Sequence, residues 1–252
     1  MRDELRSALR TMRPSNDSIL SALYVSPDGG NFDVENVLLY NVGLYAHLCQ
    51  NGLSFERLQK QPPQCPVELD AEARHYHRYT LDSTCSSETE RDTKSPIAWW
   101  NSLSLPRLNS DTKPHVYWAH MRKHSVETTV DSVDGEFELE LTLSAPQGTN
   151  TYAATLVKSL VDGVVSAFHV HDGSQLAEVS ARLSRLTDES QPDIEDQLMK
   201  SNVSLLGTTN LVYPYLQEVK WNPGDHLCRK AELSLQYTDG PTWSMSGRMY
   251  QA

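Results

Sequence analysis

Residues 135–144, "GEFELELTLS", leave the chain little choice. Phe137, Leu139, Leu141 and Leu143 alternate with Glu136, Glu138 and Glu140. A period of two marks a strand with one packed face and one wetted face. The period then changes: Ala153, Val157, Val161, Val164 and Phe168 recur every three or four residues, which gathers them on one side of a helix. The helix is expected to lie on the sheet to which the strand belongs. Asp134-Gly135 suits a tight turn that would pair this strand with residues 126–130.

An earlier stretch follows the same plan. Residues 22–52 and 140–173 each run from an alternating strand through a loop of the Ser-Pro-Gly type, "SPDGGN" against "SAPQGTN". Each then enters an apolar stripe: Val34, Leu38, Val42, Tyr45 and Leu48 in the first, the stripe given above in the second. Each stops at a glycine, Gly52 or Gly173. The agreement in phase suggests an internal duplication, although few residues are identical. It also bears on "FHVHDG", residues 168–173. If Gly173 closes a helix as a left-handed C-terminal residue, His169 and His171 lie in its last turn and point in opposite directions. They then hold no metal ion in common.

Other segments read in the same terms. Leu5, Leu9 and Met12 form the apolar side of a short N-terminal helix stopped by Pro14. Leu176, Val179, Leu183 and Leu186 mark a further helix with Ser174 placed to cap it, and Pro192 opens another. "ARHYHRYTL" (73–81) and "PHVYWAHM" (114–121) read as strands from their aromatic and β-branched content. Ala231, Leu233, Leu235 and Tyr237 alternate, "TDGP" turns the chain, and Trp243, Met245 and Met249 return it as a hairpin. The fold class expected is therefore α+β: an antiparallel sheet with long packed helices, built as two related strand–turn–helix halves. Residues 1–82 and 111–252 would be the halves, or parts of one fused domain. The polar residues 83–96 and the Trp99-Trp100 pair fall between them.

Charge and cysteine usage narrow the function classes. The 22 basic and 33 acidic residues give a net charge of −11, with no basic run to neutralise phosphates, so no nucleic-acid partner is expected. No stretch has the roughly 20 apolar residues of a membrane span, and the charged N-terminus is not a signal peptide. Cys49, Cys65, Cys85 and Cys228 form no CxxC pair. A reduced, cytoplasmic protein without metal or cofactor is expected.

Three groups could carry chemistry. His75 and His77, two apart on a strand, would share a face, but a metal site needs a third ligand. "WNPGDHLC" (221–228) offers a carboxylate, an imidazole and a thiol in Asp225, His226 and Cys228, the parts of a nucleophilic site if they converge. The two loops before the apolar stripes lack phosphate-loop spacing, and Asn31 or Asp33 serves there as a helix cap. The reading is a non-catalytic module that binds other protein chains. The alternative is a hydrolase or transferase with a site at the junction of the halves, built from His75, His77, Asp225, His226 or Cys228.

Overall fold

The strictly alternating strand lies inside the sheet. In the computed structural model, β6 (Phe137–Pro146) buries Phe137, Leu139, Leu141, Leu143 and Ala145 and leaves the residues between them half-exposed. The structure describes residues 2–15, 18–26, 33, 35–36, 40, 42–60, 62–63, 65, 75–83, 94–200 and 203–252. Seven further strands join β6: β1 (Ser18–Val25), β2 (Gly52–Leu58), β3 (Tyr76–Ser83), β4 (Ala98–Leu105), β5 (Glu127–Thr128), β11 (Cys228–Thr238) and β12 (Trp243–Gln251). Their spatial order is β3-β1-β2-β11-β6-β12-β4-β5.

This sheet is mixed, which corrects the antiparallel expectation. β1 runs parallel to β2 and β6 parallel to β11, while the other neighbours are antiparallel. Both parallel joints link strands separated by a long connection with helix in it, the crossover that parallel neighbours need. The sheet runs unbroken from residues 18–58 to residues 228–251, with β2 beside β11. The trios β3-β1-β2 and β12-β6-β11 share a chain order, with the first strand in the middle. Their connections differ. β1 reaches β2 through a segment whose described part ends in a short 3₁₀ turn, Gly43–Cys49, whereas most of the helical layer lies between β6 and β11. Val34 and Leu38 of the first stripe, and residues 84–93, fall outside the described residues.

Two expected hairpins also fail. β11 and β12 are not neighbours, because β6 lies between them and pairs with both. Residues 239–242 therefore stride across two strand spacings, about 10 Å. β5 pairs with β4 instead of with β6.

The segment "PHVYWAHM" is a helix, α2 (Pro114–Lys123), with Pro114 in its first turn. Proline is tolerated there because that amide has no partner inside the helix. Tyr117, Trp118 and Met121, three and four apart, are all buried, so the aromatic content that resembles a strand serves a helix face. α2 packs on α3 (Ala153–Ala167), which is buried over most of its surface. Gly163 allows the close approach: a Cβ there would lie 2.5 Å from the Pro114 carbonyl oxygen and 2.7 Å from the Tyr117 Cβ.

α4 (Leu176–Thr187) and α5 (Gln191–Met199) complete the layer, and α1 (Arg2–Thr11) adds Leu9 to the core. Ser190 caps α5, accepting from the Asp193 N–H. Ser174 does not cap α4: Gln175 holds that place in a left-handed conformation with no side-chain cap. Arg122 is buried and donates to the carbonyls of Ala167, Gln197 and Lys200. A guanidinium therefore serves the unpaired C-terminal carbonyls of two helices at once.

The histidine motif is also corrected. α3 ends at Ala167, with Phe168 as its cap. The chain then runs into a two-residue strand, β7 (Val170–His171), paired with β8 (Thr208–Thr209). Gly173, at φ +86°, turns the chain after that strand instead of closing the helix. The helix stops early because Phe168 and His169 turn their N–H groups back to Val165 and Ser166. No helix among the described residues is long and apolar enough to cross a membrane.

Candidate functional site

α3 is apolar except for one stripe, Thr155, Lys158, Ser159, Asp162 and Ser166, spaced so that all five share a side. A cleft of about 630 Å³ opens over Lys158 and Asp162 of that stripe. The hairpin of β9 (Val212–Tyr215) and β10 (Glu218–Trp221) supplies Val219, Lys220 and Trp221 to its wall. Trp221 is fixed against Trp118 of α2, the ring centroids 5.4 Å apart. Pro223, Asp225 and His226 complete the rim from the turn that follows β10, and Asp33 and Asn36 close the other side.

The chemistry concentrates on Lys158. Its Nζ lies 2.8 Å from Glu35 Oε1, 2.8 Å from Asp162 Oδ1, 2.9 Å from Asp225 Oδ2 and 3.9 Å from Asp33 Oδ2. An ammonium has three protons to donate, and Glu35, Asp162 and Asp225 take all three. One cation thus faces four carboxyl groups in a place partly closed to water. Burial opposes the Lys158 charge, but the charges of Glu35, Asp162 and Asp225 outweigh it and hold the ammonium above its ordinary range.

The excess of acid appears in the carboxyl groups. Burial drives Glu35 up to about 7 against the pull of Lys158, and the Asp225 charge adds to the rise. Burial likewise drives Asp162 up to about 7, again against Lys158. Asp225 pushes Asp162 further, by its charge and by a hydrogen bond that only a protonated Asp162 can donate. Near neutral pH the Asp162 carboxyl therefore lies close to its midpoint, beside Asp225 on the same ammonium. The Asp162 and Asp225 side chains are 14% and 8% exposed, so both meet the cleft, while Glu35 at 1% stays beneath it.

Oxygens of Asp33, Glu35 and Asp225 lie within 4.8 Å of one another, and this is the only such cluster among the described residues. Hard divalent cations take oxygen ligands of this kind, but the Lys158 ammonium stands among them and supplies the positive charge.

Of the residues singled out in the sequence, Asp225 and His226 reach this cleft. Cys228 does not: it is fully buried at the start of β11, and burial, then the charges of Glu35 and Asp225, hold its thiol well above the ordinary range. His75 immediately precedes the edge strand β3 and His77 lies within it; His75 bonds the Tyr24 hydroxyl at 2.8 Å and the His77 ring lies 4.9 Å from the Tyr24 ring. Asp33, read as a cap, bonds the Asn36 side chain at 2.9 Å and belongs to the cluster. Lys158, Asp162 and Glu35 were not singled out. The signal for two of them was present, since a lysine and an aspartate four apart interrupt an otherwise apolar helix.

The buried thiols give a direct check. Burial also pushes Cys49 up to about 12. Iodoacetamide at pH 8 should modify Cys49 and Cys228 in the native protein about a hundredfold more slowly than in the urea-unfolded chain, since only the thiolate attacks. Peptide mapping that finds Cys228 alkylated equally fast in both would contradict this placement. Compared with protein-family models, with curated proteins and with solved structures, the chain shows no match.

Proposed function

We propose that the chain is a hydrolase or transferase that works by acid–base catalysis in the α3 cleft, with Asp162 and Asp225 as the catalytic pair. One observation carries this reading: the Asp162 and Asp225 carboxyl groups meet on one half-buried ammonium at the wall of an open cleft, 2.8 and 2.9 Å from Lys158 Nζ, and on this reading the pair shares one proton near neutral pH. Two neighbouring carboxyls with one proton form a ready acid and base. The unprotonated member takes a proton from the attacking water or hydroxyl. The protonated member gives one to the leaving group, so the pair ends with the proton it began with. Lys158 has no free donor and fixes both aspartates; Glu35 anchors Lys158 from below. Trp221, Val219 and Pro114 offer an apolar wall for the rest of a small substrate.

A panel of esters, amides, glycosides and phosphate esters tests the reading, with native protein beside Asp162→Asn and Asp225→Asn. The expected result is turnover near pH 7 that falls by roughly 10²–10⁴-fold in either variant. Turnover equal in native protein and both variants would remove the acid–base role.

A non-catalytic protein-binding role has its own support. Tyr215 and Leu216, at the tip of the β9–β10 hairpin, are 53% and 78% exposed, and Leu216 holds φ +50°, an uncommon conformation for a bulky residue. Leu216→Asp separates the readings: it should weaken a protein complex and leave turnover unchanged. The buried thiols of Cys49 and Cys228 accord with a reducing, cytoplasmic setting, and the net charge of −11 with ligands other than nucleic acid.

A further inference from the structure

One buried residue of the histidine motif meets the turn that carries Asp225. His169, 5% exposed, follows the end of α3 and spans two loops with its ring. Nε2 accepts the Gly224 N–H at 3.1 Å, and Nδ1 faces the Gly207 carbonyl oxygen at 3.3 Å. The pair of bonds fixes the tautomer: Nδ1 carries the proton and Nε2 is bare. Gly224 immediately precedes Asp225, and its backbone packs so closely on the ring that a Cβ there would lie 3.0 Å from Nε2. The Gly224 carbonyl in turn accepts the Leu227 N–H at 3.0 Å, closing the short 3₁₀ turn that carries Asp225.

We propose that His169 is a positioning residue: as a neutral acceptor it locks the Gly224 backbone and so holds the Asp225 carboxylate against Lys158 and Asp162. The inference rests on the shared-proton reading of the aspartate pair. Geometry makes the link short, since one hydrogen bond separates the ring from the residue before Asp225. Burial pushes the His169 ring down to about 4, so the acceptor form prevails throughout the neutral range.

The test compares the full-length native chain with His169→Leu, His169→Gln and Gly224→Ala by ¹³C-carboxyl NMR titration of Asp162, with circular dichroism to verify folding. Leucine fills the space without accepting a bond. Its expected result is a folded protein whose Asp162 midpoint falls by at least one pH unit, because Asp225 no longer raises it. Glutamine, whose Oε1 can accept from Gly224, should restore most of the midpoint. Alanine at 224 lengthens the bond from the other side and should lower the midpoint part-way, which keeps the test decisive if the leucine variant fails to fold. A native midpoint near 7 that stays put in the folded variants overturns the role of His169 alone. A native midpoint in the ordinary carboxylate range overturns the shared-proton reading on which it rests.

Discussion

Lys158→Met will cost the fold about 2–3 kcal/mol at pH 8, below the roughly 3–5 kcal/mol lost when one partner of a fully buried ion pair is removed, because the Lys158 side chain is 33% exposed, and clearly less at pH 5. The ammonium is the common partner of Glu35, Asp162 and Asp225, so methionine leaves three carboxyls facing one another without a cation. The sign follows from proton linkage. Glu35 and Asp162 already titrate near 7 when folded, above their ordinary values of 4.5 and 3.8. The folded state therefore binds their protons more tightly, and native stability should fall as pH rises from about 4 to 7 and then level off. Without Lys158 the folded carboxyls hold protons still more tightly, and stability should keep falling beyond pH 7. Urea unfolding at pH 5, 6, 7 and 8 reads the difference directly. An equal loss at every pH would mean that the Lys158 side chain acts through packing and not through charge.

Gly163→Ala should also be strongly destabilising, by about 2–3 kcal/mol net, although alanine is the better helix former. Replacing glycine in a helix interior gains about 1 kcal/mol. Against that stands a methyl group 2.5 Å from the Pro114 carbonyl oxygen and 2.7 Å from the Tyr117 Cβ. Both belong to the first turn of α2, so relief requires moving one helix off the other instead of turning a side chain. Lys158 and Asp162 lie on α3 within a turn and a half of Gly163, and the displacement should disturb the cleft as well. Thermal and urea unfolding check the sign. A stability gain of about 1 kcal/mol would show that α2 and α3 can separate freely.

The elements were more legible in the sequence than their arrangement. Alternation identified β6, β11 and β12, and the stripes identified α1, α3, α4 and α5, because burial period is a local property. Neighbour order is not local. Nothing in residues 228–251 records that β6 inserts between β11 and β12, since the partner is drawn from residues 137–146. Aromatic content misled in α2, where Tyr117 and Trp118 face a helix and not a sheet. The histidine motif misled in another way: the glycine stop was real, but a buried two-residue strand precedes it. The cluster joins Asp33 and Glu35, Lys158 and Asp162, and Asp225 from three distant segments. Asp225 was visible as part of an unusual turn, and its partners depend on a crossover that the sequence does not display.

The central claim is that Asp162 and Asp225 share a proton beside Lys158, with Glu35 raised beneath them. Carboxyl ¹³C titration of native protein, with assignments from Asp162→Asn and Glu35→Gln, tests it most directly. Midpoints for Asp162 and Glu35 near 7 are the predicted result. Midpoints near 4 for both, the ordinary carboxylate range, would contradict it and leave Lys158 in a fully ionised cluster with no proton to transfer.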